Sequence, residues 1–300
     1  AGPAHARRVA LVIGNAAYQV GPLANPVNDA KAIAEALKAL GFATTLVTDA
    51  TKADMSAALT RFAGEAHGAE IAAVYFAGHG TERDGRNYLI PIDASLARAS
   101  DLGLQTIALS DVLDQLAGAT KLKLVILDAC RNNIFPLAGV TRSTARGLAR
   151  VEPDDNTLIA YAAKDGTTAE DGADGRHSPF AAALLKRLPT PGLEIRFVLA
   201  EVRNDVLAAT GRAQQPFVYG SLGPEHVYLK AAVAAPPAPV PPVARPESPA
   251  TASTPAPGAA ATAIRSLRIE PQVGHVGPIG SVALSADGRT IVSGGDETVK

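Results

Sequence analysis

The sequence has a single cysteine, no tryptophan and almost no net charge. One cysteine excludes an intrachain disulfide, and its thiol is either a small buried hydrophobic group or a reactive one. A formal net charge of −1 gives no broad attraction for nucleic acid or anionic lipid, so partners must be recognised locally. No run of eighteen apolar residues occurs, so the sequence predicts no membrane span.

The composition is that of a globular protein with an appendage. Of 300 residues, 47% are apolar and 19% are charged, which is enough to bury at least one full-sized core. Near the start, Ala4-His5-Ala6 has the small-x-small form of a signal-peptidase site. We therefore expect residues 1–6 to be the remnant of an export signal and the protein to be periplasmic or secreted. The alternatives are an alanine-rich leader and a cytoplasmic protein.

Strand-like and helical patterns alternate from residue 7 to residue 230, which we interpret as one domain. Apolar, β-branched runs predict strands at residues 8–14, 43–48, 70–77, 88–92, 122–127, 157–160 and 217–219. Apolar positions at helical spacing predict helices at residues 27–40, 52–66, 110–117, 179–188 and 195–210. This alternation predicts an α/β fold with a mostly parallel sheet, flanked by helices on both faces.

The composition changes abruptly after this domain. Proline and alanine dominate residues 231–262, and no apolar periodicity survives there. We expect a linker that could reach up to about 100 Å, at about 3.1 Å per residue of extended polyproline II chain. In residues 263–300, the stretch 281–300 has the pattern of two alternating strands joined by an Asp-Gly turn.

The stretch 281–300 resembles the opening strands of a WD-repeat propeller blade. One incomplete blade cannot close a propeller, so we expect the natural protein to continue beyond Lys300. Further repeats of this kind would offer a surface for protein partners.

Two predicted strands end in unusual polar signatures, YFAGHG at residues 75–80 and LDACRNN at residues 127–133. The carboxyl ends of strands carry the functional loops of open α/β sheets. If the two strands are neighbours, His79 and Cys130 meet at one edge, with Gly78-His79-Gly80 forming a turn. A neighbouring imidazole raises the thiolate fraction of a cysteine or takes its proton during attack. The alternative is a packed histidine and an inert core cysteine.

His79 precedes Cys130 by 51 residues, which is the spacing found in caspases. The chain resembles the caspase, paracaspase and metacaspase superfamily, and most closely its bacterial members, often called orthocaspases. The resemblance covers residues 8–229. It is carried by ALVIGN (10–15), LANPVNDA (23–30), YFAGHG (75–80), YLIPIDA (88–94), LDACRNN (127–133) and SPFAAALL (178–185).

The resemblance implies a role for each matching residue. Cys130 would be the nucleophile, and His79 would be the base and later the acid. The main-chain N–H groups of Gly80 and Cys130 would form the oxyanion hole. No third catalytic side chain is identifiable from the sequence.

The resemblance also implies a substrate preference. Asp29 and Asp128 match the two aspartates that line the primary pocket of metacaspases and paracaspases, whereas true caspases place arginines there. Two carboxylates favour a Lys or Arg side chain, and Arg can make a bidentate contact. The alternative is that Asp29 is a charge at a helix N-terminus and Asp128 a hydrogen-bonding residue at a strand end.

Calcium is a point of departure from the family. Metacaspases commonly carry a calcium-binding aspartate cluster, but only Asp93 and Asp111 lie near the corresponding stretches, and Leu137 stands where another acid is expected. We therefore expect no cofactor, and calcium activation is in doubt. Three other histidines lack metal-ligand spacing and are interpreted as structural or surface residues: His67, His177 and His226.

Residues 141–153 follow the cysteine and are polar, which predicts an exposed loop. Arg142, Arg146 and Arg150 in this loop offer self-cleavage sites to an enzyme that cuts after basic residues. The alternative is a solvated basic loop.

These patterns predict a cysteine endopeptidase that hydrolyses peptide bonds after Arg or Lys through an acyl-enzyme. The alternative is a catalytically silent caspase-like scaffold that recruits partners through a WD-repeat domain. A nucleotide-binding module is not supported, because neither GxGxxG nor GxxxxGK[ST] follows a strand.

Overall fold

A computed structural model describes residues 7–130, 148, 151, 154–164, 176–232, 281–284, 291–295 and 298–299. The chain divides into two compact units, Ala1–Ala238 and Pro239–Lys300. The expected export-signal remnant (1–6), most of the linker and the three arginines of the predicted loop lie outside the described residues.

The first unit alternates strands and helices. Its elements are β1 (Arg8–Gly14), α1 (Pro26–Ala39), β2 (Ala43–Thr48), α2 (Lys52–Ala66), β3 (Ile71–Arg83), β4 (Arg86–Leu89), α3 (Asp101–Gln105), β5 (Ile107–Ala108), α4 (Leu109–Gln115), β6 (Leu122–Cys130), β7 (Thr157–Tyr161), α5 (Pro179–Arg187), α6 (Ile195–Ala209) and β8 (Phe217–Ser221).

The strands form one mixed sheet with the order β2-β1-β3-β6-β7-β8. The first five of these strands run parallel, and β8 pairs with β7 in the antiparallel direction. Strand β4 adds to the far end of β3 and β5 adds to β4, both antiparallel. The described sheet is therefore parallel in its centre, as the alternating pattern predicts, and antiparallel at β8 and at the β4–β5 extension.

Both faces of the sheet are buried, because helices cover each of them. Alternate residues of β1 belong to different apolar layers: Ala10 and Val12 on one face, Val9, Leu11 and Ile13 on the other. Helices α1, α5 and α6 cover the first face, and α2 and α4 cover the second. Continuous apolar strands are expected for a sheet covered on both sides.

Strand β3 is longer than the sequence pattern predicts, and this corrects the expected turn at Gly78-His79-Gly80. All three residues lie inside β3. The backbone stays extended because β6 pairs with β3 as far as His79, and β4 pairs with it from Gly80 onward. Strand β6 likewise continues to Cys130. His79 and Cys130 are therefore strand residues.

The second unit contains β9 (Ser281–Leu284), β10 (Ile291–Gly295) and β11 (Thr298–Val299). They form an antiparallel sheet with the order β11-β10-β9. The expected Asp287-Gly288 turn lies outside the described residues, and the propeller stays a prediction. In the part of the chain that the structure describes, no helix is long and apolar enough to cross a membrane.

Candidate active site

His79 and Cys130 lie side by side on neighbouring strands. Strands β3 and β6 pair in parallel from Ile71 opposite Leu122 to His79 opposite Cys130. Neighbouring strands are about 4.8 Å apart, so the two backbones are adjacent at the carboxyl edge of the central sheet. The structure thus brings together the two residues that the sequence places at strand ends.

Gly78 lets the chain pass close to Tyr18 just before His79. Its φ of 153° is one that L side chains rarely adopt. A Cβ atom added to Gly78 would also lie 2.5 Å from the hydroxyl of Tyr18. Both observations require glycine at this position.

The buried imidazole of His79 is held by the loop between β1 and α1. Its Nε2 lies 2.6 Å from the carbonyl oxygen of Gly21. Because a carbonyl oxygen can only accept a hydrogen bond, Nε2 carries the proton of the neutral ring. Nδ1 is then the nitrogen that can take a proton from a nucleophile. The main-chain carbonyl of Gly21 therefore orients the imidazole, a role for which the sequence indicates no side chain.

Tyr18, from the same loop, contacts both the ring and the backbone of His79. The two ring centroids are 4.4 Å apart. The Tyr18 hydroxyl accepts the N–H of His79 at 2.9 Å and donates to the carbonyl oxygen of Ile90 at 2.9 Å. Burial raises the pKa of Tyr18, so the phenol stays protonated at neutral pH and keeps its role as a donor to Ile90.

The side chains of Asn15 and Asp49 anchor this loop to the rest of the domain. The side-chain oxygen of Asn15 accepts the N–H of Ala50 at 2.9 Å. Asp49 accepts the N–H groups of Ala16 and Ala17 at 2.8 and 2.9 Å. These hydrogen bonds hold the backbone of the loop that carries Tyr18 and Gly21, the two loop residues that contact His79.

Asp29 and Asp128, the two predicted pocket residues, meet at Ser178. Asp29 lies in the first turn of α1, and Asp128 lies on β6 two residues before Cys130; both are buried. The N–H of Ser178 donates to Asp29 Oδ2 at 3.2 Å, and its hydroxyl donates to Asp128 Oδ2 at 2.6 Å. The hydroxyl of Tyr75 donates to the same oxygen of Asp128 at 3.1 Å.

His177 is a site residue that sequence reasoning missed. Its Nδ1 lies 2.7 Å from Asp29 Oδ1, and its side chain is 34% exposed while that of Asp29 is 2% exposed. An open groove of about 490 Å³ adjoins His177, lined also by Asn28, Lys31, Ala32, Glu35 and Arg176. The signal in the sequence was indirect: Ser178-Pro179 is a helix-start pair, which places His177 just before the first turn of α5.

The other predicted sites stay predictions. Among the described residues, no group of three or more His, Cys, Asp and Glu could hold a metal ion. Asp93 accepts the N–H of Lys52, and Asp111 lies in the first turn of α4. Calcium activation and self-cleavage at Arg142, Arg146 or Arg150 therefore stay predictions.

Gly80, predicted for the oxyanion hole, packs closely, because an added Cβ would lie 3.2 Å from that of Ala129.

Comparison with known proteins identifies the domain that carries this site. The family model described as the caspase domain matches residues 7–226, a range that contains all the elements from β1 to β8. The chain belongs to the caspase domain family. A domain of this family indicates a protein of the cysteine peptidase class. The narrower assignment to bacterial orthocaspases stays a prediction.

Two mammalian proteins align with this chain at low sequence identity. The chain is 26% identical over 210 residues to human mucosa-associated lymphoid tissue lymphoma translocation protein 1, covering 66% of this chain and 24% of that protein. The mouse homolog is also 26% identical over 210 residues, with 66% and 23% covered. The match thus spans about a quarter of these relatives' length.

The fold of the caspase domain matches that of a solved caspase. The crystal structure of caspase-1 from Spodoptera frugiperda has a TM-score of 0.55 and 17% identity, covering 77% of this chain and 93% of that one. At this identity the likeness shows the fold alone.

Proposed function

We propose that the protein is a cysteine endopeptidase in which Cys130 is the nucleophile and His79 is the general base. The observation that carries this proposal is the register of β3 and β6, which sets His79 opposite Cys130 at the edge of the sheet. The Gly21 carbonyl supports it, because its hydrogen bond places the proton of the neutral imidazole on Nε2, so that Nδ1 is the nitrogen able to act as the base.

The reaction follows from these roles. Nδ1 of His79 takes the proton of the Cys130 thiol, and the sulfur attacks the carbonyl carbon of the scissile peptide bond. The N–H groups of Gly80 and Cys130 stabilise the tetrahedral oxyanion, each by about 3 kcal/mol as in other acyl-transfer enzymes. His79 returns the proton to the leaving amine. Water, deprotonated by His79, then attacks the thioester; the C–S bond breaks, the acid product leaves, and the Cys130 thiolate takes the proton back from His79.

The acid pair supports cleavage after Arg or Lys. Asp29 and Asp128 are both buried and converge on Ser178, and Asp128 lies two residues before Cys130 on β6. A buried pair of carboxylates attracts a substrate cation and repels an aspartyl side chain. The same preference makes Arg142, Arg146 and Arg150 candidates for self-cleavage.

A peptide assay tests this proposal. We expect the full chain to cleave a fluorogenic arginyl peptide with kcat/KM at least about a hundredfold above that of the matched aspartyl peptide, because like charges repel strongly in a buried pocket. Cys130→Ala is expected to abolish cleavage of both. The proposal is wrong if purified protein with an intact thiol cleaves neither peptide, with or without added calcium.

A further inference from the structure

Ser178 lies at the start of α5, where one residue contacts both acid groups of the proposed pocket. It is the N-cap of this helix, with Pro179 as the first helical residue, and it is 2% exposed. Its N–H donates to Asp29 and its hydroxyl donates to Asp128. The two carboxylates come from helix α1 and strand β6, which are far apart in the sequence, and they are bridged through this one residue.

The hydroxyl of Ser178 has a fixed orientation. Its oxygen lies 2.6 Å from Asp128 Oδ2 and accepts the N–H of Ala181 at 2.9 Å. A carboxylate oxygen only accepts, so the hydroxyl proton points to Asp128 while a lone pair faces Ala181. Since Tyr75 also donates to this oxygen of Asp128, removal of the serine hydroxyl keeps that hydrogen bond but breaks the link between the carboxylate and α5.

The spacing of two carboxylates matters more for Arg than for Lys. A guanidinium presents its N–H groups in a rigid planar fork, so it needs acceptors at matching positions. An ammonium is a compact charge with rotatable donors and tolerates a shift of either acceptor. A residue that holds both acceptors therefore affects the choice between these two substrates.

We infer that Ser178 is the positioning residue that sets the spacing of Asp29 and Asp128, and that it thereby gives the pocket a preference for arginine over lysine. This inference rests on the proposed function, since the pocket has no role in selection unless the protein binds a basic substrate side chain. Ser178 thus affects specificity through the positions of Asp29 and Asp128.

The test compares Ser178→Ala with the unmodified protein on arginyl and lysyl fluorogenic peptides of the same sequence. We expect the arginyl-to-lysyl ratio of kcat/KM to fall about tenfold, as for the loss of one hydrogen bond to a charged group, through a higher KM for the arginyl peptide. The kcat values should stay within about twofold, because catalysis by His79 and Cys130 is untouched. Ser178→Thr, which keeps a hydroxyl, is expected to restore part of the preference.

Thr51→Ala is the matched control for the loss of a helix cap. Thr51 is the N-cap of α2 and accepts the N–H of Asp54, as Ser178 accepts that of Ala181, but it contacts neither pocket carboxylate. We expect its arginyl-to-lysyl ratio to equal that of the unmodified protein. If both cap variants lower the ratio equally, Ser178 acts only through helix stability and the inference is wrong.

A binding measurement separates this inference from the proposed function. Arginyl and lysyl peptide amides are titrated calorimetrically into Cys130→Ala and Cys130→Ala/Ser178→Ala proteins. Tighter arginyl binding that weakens in the double variant supports the inference. An arginyl preference that persists in the double variant overturns the inference alone. Binding of neither amide, together with an inactive unmodified protein, overturns both.

Discussion

Tyr18 supports His79 through its hydroxyl and through its ring, and the two contributions can be separated by one substitution. The hydroxyl joins the backbone N–H of His79 to the carbonyl of Ile90, and the ring lies against the imidazole. The same hydroxyl lies only 2.5 Å from the position that a Cβ atom of residue 78 would take. The position of the base therefore depends on a tyrosine and a glycine together.

We predict that Tyr18→Phe lowers kcat for the arginyl peptide and leaves KM unchanged. Phenylalanine keeps the ring contact but leaves the His79 N–H without its acceptor, so the imidazole shifts. A misplaced catalytic group lowers the rate by roughly ten- to a hundredfold. Steady-state kinetics of the variant measure this. Tyr228→Phe, at a tyrosine that is 41% exposed, is the control; a rise in KM with an unchanged kcat in Tyr18→Phe would contradict the positioning role.

At the residue scale, the site residues that can be predicted from the sequence are those that stand in a recognisable motif. His79, Cys130 and Asp128 stand in short polar strings at the ends of predicted strands, and Asp29 stands in a string of α1 that matches the family. Tyr18, Gly21 and His177 have no such motif. Their contacts reach across 61, 58 and 148 residues of chain, so only the packed structure brings them to the site.

Helices α5 and α6 are joined by a charged contact around Asp205. Arg187 donates to both oxygens of Asp205, at 2.6 and 2.9 Å, and Lys186 adds a contact at 3.1 Å. The hydrogen bond from Arg187 is the main reason why the pKa of Asp205 falls from 3.8 to about 2. Because the folded state holds the ionised form, this contact stabilises the fold above the unfolded pKa. The stabilisation is lost as the pH falls from about 4 to about 2.

We predict that Asp205→Asn lowers the free energy of unfolding at pH 7 by about 1 kcal/mol, less than the pKa shift alone implies because solvent screens a partly exposed pair. The difference from the unmodified protein should shrink between pH 4 and pH 2. Urea denaturation at several pH values measures it. Glu35→Gln removes a more exposed pair with Lys38 and is expected to have no measurable effect. A difference for Asp205→Asn that stays constant down to pH 2 would contradict the prediction.

At the element scale, long periodic segments are predictable and short ones are not. The bounds of β1, β2 and α2 agree with the predicted ones, because each has a full apolar pattern. Helix α3 and strand β5 contain only five and two residues, too few for a period to show. The turn after β3 was misplaced at Gly78-His79-Gly80. The chain turns instead at Asp84-Gly85, whose positive φ angles of 52° and 76° are typical of a two-residue hairpin.

At the scale of the molecule, the caspase domain has its own core. The first compact unit ends at Ala238, and the family match ends at residue 226. The alternation of strands and helices predicts the parallel centre of the sheet. It does not predict the antiparallel direction of β8, since a strand's direction depends on how the preceding connection runs rather than on local pattern.

We predict that a fragment of residues 7–232 unfolds in one transition at the melting temperature of the first unit in the full chain. A melting temperature more than about 3 °C lower for the fragment corresponds to roughly 1 kcal/mol for a domain of this size. Such a decrease would show that later residues stabilise the first unit. Scanning calorimetry makes the comparison. A fragment of residues 7–190 lacks α6 and β8 and exposes part of the apolar layer that α6 covers, so we expect it to remain unfolded.

The bridge through Ser178 also determines when the acid pocket can form during synthesis. Ser178 follows Asp29 by 149 residues and Asp128 by 50 residues. At about 5–20 residues per second, a ribosome adds the last of these residues several seconds after the strand that carries Cys130. During that interval the nascent chain contains both proposed catalytic residues but not the residue that spaces the two acids. A growing chain therefore acquires its proposed catalytic pair before its means of selecting a substrate.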